Sequence, residues 1–474
     1  MHDFSRPAHP AHPTLRQPTA RLTGRVVRPD DPGYASASLG WDELFVRYPL
    51  VIVYARNTQD VVNALAWARQ HDVAVRVRSG GHSLEGWSNV DNGIVIDVSG
   101  LKSVRIDAAA RTATVGAGLN QLEAVTALAG QDLAVTTGSE GQVGLAGATL
   151  GGGLGFFTRW LGMACDSLIG AEVVVAAAGG SDDGLDAEVI RADAEENADL
   201  LWALRGAGNG NFGIVTSLTY TVAPLKSVTS VQARWEGLGD LHGVFDTWQR
   251  TAPYADDRLG TQLEVHRDEA LLYAVLAEGS PDEAKEMLAP VLSVGSPEVS
   301  VRTGNWGDVY TRFQVPAERD PSHWKFYSQF ATEPFPGEAI SLIATFMRNA
   351  PTEASNFFTQ AFGGAVGRIP RDATAFPHRD ALFYAEPGAG WGVRGEAGSG
   401  DALTAQAQAW IAEFGQALRP YVNGAYVNVP NIGMQNWETA YWGPNFDRLR
   451  EIKAKYDPHN VFSYEQSIPP ASRR

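Results

Sequence analysis

Four short stretches carry the residue types from which a reaction centre can be built. Arg78-Ser79-Gly80-Gly81-His82-Ser83 sets a histidine in a glycine turn. Gly138, Gly141, Gly144 and Gly147 lead into Gly151-Gly152-Gly153-Leu154-Gly155. Gly162-Met163-Ala164-Cys165-Asp166 holds the only cysteine, and Arg205-Gly206 opens a third glycine loop that ends Gly208-Asn209-Gly210-Asn211-Phe212-Gly213. Loops of this kind leave backbone N–H groups bare and let the chain approach a ligand closely, so they could cradle a pyrophosphate. The last of them matches G-x-G-x-x-G, but a Rossmann unit needs that pattern after a first strand and at the start of a helix. Here it follows a helical stretch, 199–204, and runs into a strand, 214–219, which argues against a nicotinamide-dependent enzyme.

The elements that must position these loops are legible from periodicity. Val61, Leu65 and Ala68 recur at helical spacing over 60–70, and Val73, Val75 and Val77 then alternate with Ala74, Arg76 and Arg78 as in a strand, which delivers the histidine turn. Further strands are expected at 94–97, 112–115 and 133–136, with a helix near 120–129. Short strands and helices continue to Val222, interrupted by an acid-rich stretch, 182–199, that reads as a solvated loop and helix start. Beyond Pro224 the runs lengthen. Strands at 261–266, 271–276, 299–302, 325–330 and 381–386 alternate with helices near 281–292, 340–348 and 403–418, which describes an α+β unit on an antiparallel sheet flanked by helices. A charged helix over 449–456 ends at Asp457-Pro458. No internal repeat is present.

Composition narrows the function classes. The 474 residues suffice for about two to four domains. With 44% hydrophobic and 19% charged residues the chain reads as globular, and no apolar run reaches the length of a membrane span. A formal net charge of −16 opposes binding to nucleic acid or to anionic membranes. A single cysteine excludes an internal disulfide and a cysteine-built zinc site; no metal is expected. The first twenty residues, with His2, His9 and His12, lack the apolar core of a secretory signal and read as a tail, so a cytoplasmic protein is expected. Both a monomer and a homo-oligomer are compatible with the sequence.

Read together and in order, the segments RSGGHS, LGGGLG, ACDSL, RGAGNGNFGIVT, AFPHRDALF and YDPHNVFSYEQSIPP resemble the FAD-linked oxidases of the berberine bridge enzyme-like family, within the vanillyl-alcohol oxidase superfamily. The resemblance runs from about Thr23 to Pro470. It implies a PCMH-type FAD-binding domain over 23–222 after a mobile tail, 1–22; a substrate-binding domain over 223–425; and a segment, 426–474, that returns to the FAD domain. It implies FAD doubly attached, through His82 to the 8α-methyl group and through the sulfur of Cys165 to C6. A hydrogen-bonded turn histidine and a small buried thiol are the plainer roles for these two residues. The remaining cofactor contacts implied are Arg78, Ser79, Gly80, Gly81, Ser83, Gly138, Gly144, Gly147, Thr149, Gly151, Gly152, Gly155, Asp166, Gly213, Ile214, Val215, Asn428 and Tyr464.

The implied reaction is hydride removal from a C–H bond of an alcohol, hemiacetal, amine or polycyclic natural product, with O2 as acceptor and hydrogen peroxide as product, in a secondary-metabolite tailoring enzyme. An oligosaccharide oxidase is the alternative of the same class, and a flavin-binding protein with little oxidase activity that of another. Trp306, Trp324, Phe326, Tyr327, Tyr384 and Trp391 are candidates to stack on the substrate, or else form sheet core. One departure from the family pattern concerns the base: Val429 stands where relatives carry a tyrosine, and Asn431 replaces a carboxylate. Glu386 could take that role if half-buried among aromatic groups, or could simply close a strand at the surface before Pro387. Tyr384 and Tyr426 are the second choices.

Overall fold

A computed structural model describes residues 21–176, 187–315, 320–396 and 398–472. The tail histidines and the first part of the acid-rich stretch lie outside the described residues. The architecture is α+β. Near the N-terminus a four-stranded sheet sets Val51–Tyr54, Ile94–Asp97 and Val75–Arg78 side by side in parallel, with Arg25–Val27 antiparallel at one edge. Its crossover helix, Thr58–Gln70, starts where the Asn57 side chain accepts the Asp60 N–H at 3.0 Å and buries Val61, Ala64, Leu65 and Ala68. Such strands, covered on both faces, read as continuous apolar runs, as Ile94, Val95 and Ile96 do. Ile214–Thr221 is the centre of a second, five-stranded antiparallel sheet, between Thr112–Gly116 and Leu168–Ala176. The helix Gln121–Ala129 beside it is closed by a capping box between Asn120 and Glu123.

The third sheet is the largest. Its main path runs Glu298–Gly304, Val228–Glu236, Glu269–Ala277, Leu259–Val265, Asn356–Ala361, Phe383–Trp391 and His323–Phe326, antiparallel at every step. Helices Leu241–Thr251, Pro281–Leu292, Gly337–Arg348 and Asp401–Leu418 pack on one face around Leu263, Phe357 and Phe383. The other face turns toward the glycine loops.

Two expectations change here. The expected strand 325–330 is two strands, His323–Phe326 and Gln329–Ala331, both paired with Phe383–Trp391. That long strand also runs straight through Pro387, so Glu386 lies within a strand rather than at its exposed end. Proline is tolerated because its missing N–H falls at the gap between the two short partners, where Tyr327 N–H donates to its carbonyl at 3.0 Å.

After Ala425 the chain rejoins the first core, contributing Tyr441, Trp442, Leu449, Ile452, Tyr456, Phe462 and Ile468. Lys453, fully buried, is neutralised by Asp457 at 2.6 Å and donates to the carbonyls of Asn211 and Phe462. Among the described residues no helix is long and apolar enough to cross a membrane.

Candidate active site

A cavity of about 1250 Å³ opens between the glycine loops and the free face of the large sheet. The loop side is built by close backbone approach. Gly80 lies against Gly144, and a Cβ on either would collide with the backbone of the other. Among the described residues, the N–H groups of Gly80, Gly81, His82 and Ser83 donate to no protein acceptor, which makes a concave row of donors suited to phosphate oxygens. Gly138, Gly147, Gly213, Val215, Asn428 and Tyr464 line the same cavity with Ser79 through Ser83. A bound dinucleotide fits this donor set.

Several residues expected at the cofactor face elsewhere. Arg78 is buried, with its guanidinium bound to Asp97 at 2.6 Å and to the Ala37 carbonyl at 2.8 Å, so its charge is spent behind the turn. Ile214 points into the core because strand residues alternate, leaving Gly213 and Val215 toward the cavity. Thr149 shares a 2.8 Å hydrogen bond with the Tyr220 hydroxyl. Gly151 lies under the Asn428 side chain, Gly152 beside Tyr426, and Gly155 on the Thr137 carbonyl.

His82 and Cys165 do not meet. The His82 ring lines the cavity, and its Nδ1 donates to the Gly80 carbonyl at 2.7 Å. Burial holds its pKa below the ordinary value, so the ring is neutral at pH 7. Cys165 is fully buried and absent from the cavity wall. Its N–H donates to the Gly152 carbonyl, which puts the thiol behind the glycine turn among Met163, Phe330, Phe362, Phe376, Tyr384 and Tyr426. Burial raises the thiol pKa further, opposing the thiolate that sulfur chemistry requires. Asp166 is likewise occupied, forming a two-bond ion pair with Arg379 at 2.8 Å in the interior.

The sheet side presents alternate residues: Gln262 and Glu264, Asn356 and Phe358, Tyr384 and Glu386, Trp324 and Phe326. Glu264, Phe358 and Glu386 stand in register across three strands. Gln360 ties this wall to the loops, donating to the Gly155 carbonyl at 2.6 Å. The Tyr384 hydroxyl donates to Glu386. Burial pushes the Glu386 carboxyl up to about 7, against the lowering effect of that hydrogen bond.

Alternation also overturns two stacking candidates. Trp391 shares the parity of Phe383 and Ala385, lies in the helix-side core and donates its indole N–H to Thr404 at 3.0 Å. Tyr327 packs on Gly415 of the helix Asp401–Leu418. Trp306 belongs to a separate core with Phe156 and Phe157. Trp324 and Phe326, stacked with centroids 5.2 Å apart and planes at 5°, form the aromatic wall. The Tyr426 hydroxyl accepts from Gly153 N–H at 2.7 Å and Asn428 Nδ2 at 2.9 Å, so it clamps the glycine turn rather than facing a reactant as a base.

Sequence reasoning missed Trp41, Glu264, Asp320 and Arg394, all on the cavity wall. Glu264 was recoverable, since it alternates with Leu263 and Val265 in a strand already expected; Trp41 sits in a segment with no periodic signal.

Comparison with known proteins places the chain among FAD-linked oxidoreductases. The family description "FAD binding domain" matches residues 49–180 and "Berberine and berberine like" matches 425–469. The chain is 40% identical over 459 residues to the FAD-linked oxidoreductase YgaK of Bacillus subtilis, covering 96% of this chain and 98% of that one. It is 28% identical to the berberine bridge enzyme-like Cyn d 4 of Cynodon dactylon, over 89% of this chain and 84% of that one. Among solved structures, Physcomitrella patens BBE-like 1 superposes with a TM-score of 0.86 at 25% identity, covering 95% and 98% of the two chains. A chitooligosaccharide oxidase shares the fold at a TM-score of 0.82 and 23% identity, over 95% and 98% of the two chains.

Proposed function

Because the chain belongs to the berberine bridge enzyme-like family of FAD-linked oxidoreductases, we propose that it is an oxidase that removes hydride from a C–H bond of an alcohol, hemiacetal, amine or polycyclic natural product and passes the electrons to O2, yielding hydrogen peroxide. The observation that carries this reading is the Tyr384–Glu386 pair on the wall of the cavity that His82 also lines. FAD held by the 79–83 turn and the 138–155 loop supplies the two-electron acceptor.

The protein's own groups do the rest. Glu386, with a pKa near 7, is divided between its acid and base forms at neutral pH, the condition under which a general base works best. Its carboxylate takes the substrate proton while Tyr384 holds the carboxylate in place and stabilises its charge. Val429, at the position of the usual tyrosine, leaves this carboxylate as the proton acceptor. Trp324 and Phe326 supply a flat apolar wall for a ring, and Asn428 and Tyr426 keep the glycine turn rigid. His82 carries a covalent link to the cofactor. No second link through Cys165 is proposed, because its sulfur lies outside the cavity.

The polar row Gln232, Gln262 and Glu264 along the sheet favours, as the second reading, a hydroxyl-rich substrate such as an oligosaccharide. Anaerobic addition of sugars, alcohols, amines and polycyclic aglycones, followed by the loss of flavin absorbance, tests both. Bleaching by sugars alone selects the second reading. Failure of every compound to bleach a fully loaded protein selects a flavin-binding protein without oxidase activity.

A further inference from the structure

One face of the His82 imidazole is covered. The Trp41 indole lies over it with ring centroids 5.3 Å apart and planes at 20°. That indole is itself fixed on several sides. Trp41 N–H donates to the Gly81 carbonyl at 2.9 Å, inside the same turn. Its Nε1 donates to Asp320 at 2.6 Å, and Asp320 also accepts from Trp324 Nε1 at 3.0 Å and Arg394 Nη2 at 3.2 Å. Arg394 Nη1 donates to the Trp41 carbonyl at 2.8 Å, and the Trp324 ring stacks beyond the indole at 6.3 Å and 15°. His82, Trp41, Trp324 and Phe326 therefore form one column of near-parallel rings that crosses from the glycine turn to the edge of the large sheet.

We propose that Trp41 is a positioning residue that sets the His82 imidazole for covalent attachment of the cofactor, an inference that rests on the covalent reading of His82. A histidine on a turn rotates about two side-chain bonds. With Nδ1 held by the Gly80 carbonyl and one face pressed on the indole, the ring keeps a single plane and turns its uncovered side to the cavity. Attachment forms one N–C bond at the ring nitrogen that carries no hydrogen, breaks one C–H of the 8α-methyl group and releases the Nδ1 proton from the ring; two protons and two electrons leave in all, and dioxygen takes both to become hydrogen peroxide. Such a bond forms only from a near-attack geometry, and a displacement of the ring by about 1 Å slows it by up to roughly 100-fold. Because Asp320, Trp324 and Arg394 come from the large-sheet unit and Trp41 from the glycine-loop unit, the ring is set only when the two are docked.

The test compares wild type, Trp41→Leu and Trp41→Phe as full-length chains produced without riboflavin and then given FAD. The readouts are flavin retained after acid precipitation, followed over time, and total flavin bound before acid. We expect Trp41→Leu to bind FAD but to fix it roughly 10- to 100-fold more slowly, and Trp41→Phe, which keeps a ring over the histidine, to stay near the wild-type rate. Attachment at the wild-type rate in Trp41→Leu overturns the inference. So does a Trp41→Leu chain that binds no FAD at all, since Trp41 would then act on binding of the cofactor rather than on its attachment. Flavin that extracts freely from the wild type instead defeats the covalent reading of His82, and the inference falls with it.

Discussion

Tyr384 and Glu386 stand two residues apart on one strand, so both project from the same face of the sheet, and the phenol donates its hydrogen bond to the carboxylate. Burial works against the charge on Glu386 and the phenol works for it. The balance pushes the carboxyl up to about 7, and the proposed reaction should depend on pH accordingly.

Replacement of Glu386 by Gln removes the proposed base and keeps the shape. The rate of flavin reduction should fall by about 10²- to 10⁴-fold in stopped-flow mixing, with the flavin spectrum unchanged. A loss below roughly threefold, far under that range, would move the proton to another acceptor.

The same substitution has a sign in stability. The Glu386 carboxyl has its pKa raised from 4.5 to about 7 on folding, so its protonated form is favoured in the native state. Its contribution is therefore complete below pH 4.5 and lost as pH rises toward about 7. Urea melts of Glu386→Gln and wild type should diverge in the variant's favour across that interval and run parallel above it.

Tyr384→Phe deletes the donor that lowers the Glu386 pKa. The acidic limb of the reductive rate should move to higher pH by about one unit, the size expected for a hydrogen bond to a charged group. An unmoved limb would mean that the phenol does not act through the carboxylate.

Cys165→Ala should retain flavin through acid precipitation, because the thiol lies behind the Gly152–Gly153 turn. His82→Ala should release it. Peptide mapping of the flavin-bearing fragment distinguishes the two, and a flavin peptide containing Cys165 would contradict the geometry.

Arg379→Ala strands the Asp166 carboxylate in the interior beside Cys165. Removing one partner of a buried pair costs about 3–5 kcal/mol. A clear drop in thermal midpoint is expected, and Asp166→Asn with Arg379→Gln should recover part of it.

Sequence alone determined the order of the glycine loops, the strand that delivers His82, the antiparallel character of the second unit though not its strands Val228–Glu236 and Asn356–Ala361, and the spacing of Glu386 from Tyr384. These depend on local rules: glycine where backbones touch, period two in strands, caps at helix starts. Tertiary structure decided which face of each element meets the cavity. Tyr327 and Trp391 are as aromatic as Trp324 and Phe326, yet they stand on the face that the helices cover. Arg78 precedes the glycine turn, but its charge is taken by Asp97 from a neighbouring parallel strand. Cys165 falls behind the turn rather than in front of it, and Trp41 reaches His82 from 41 positions earlier, held by Asp320 and Arg394 of the large-sheet unit. Spacing along a chain constrains neighbours within a turn or a strand; which surfaces two units turn toward each other depends on how their whole cores pack.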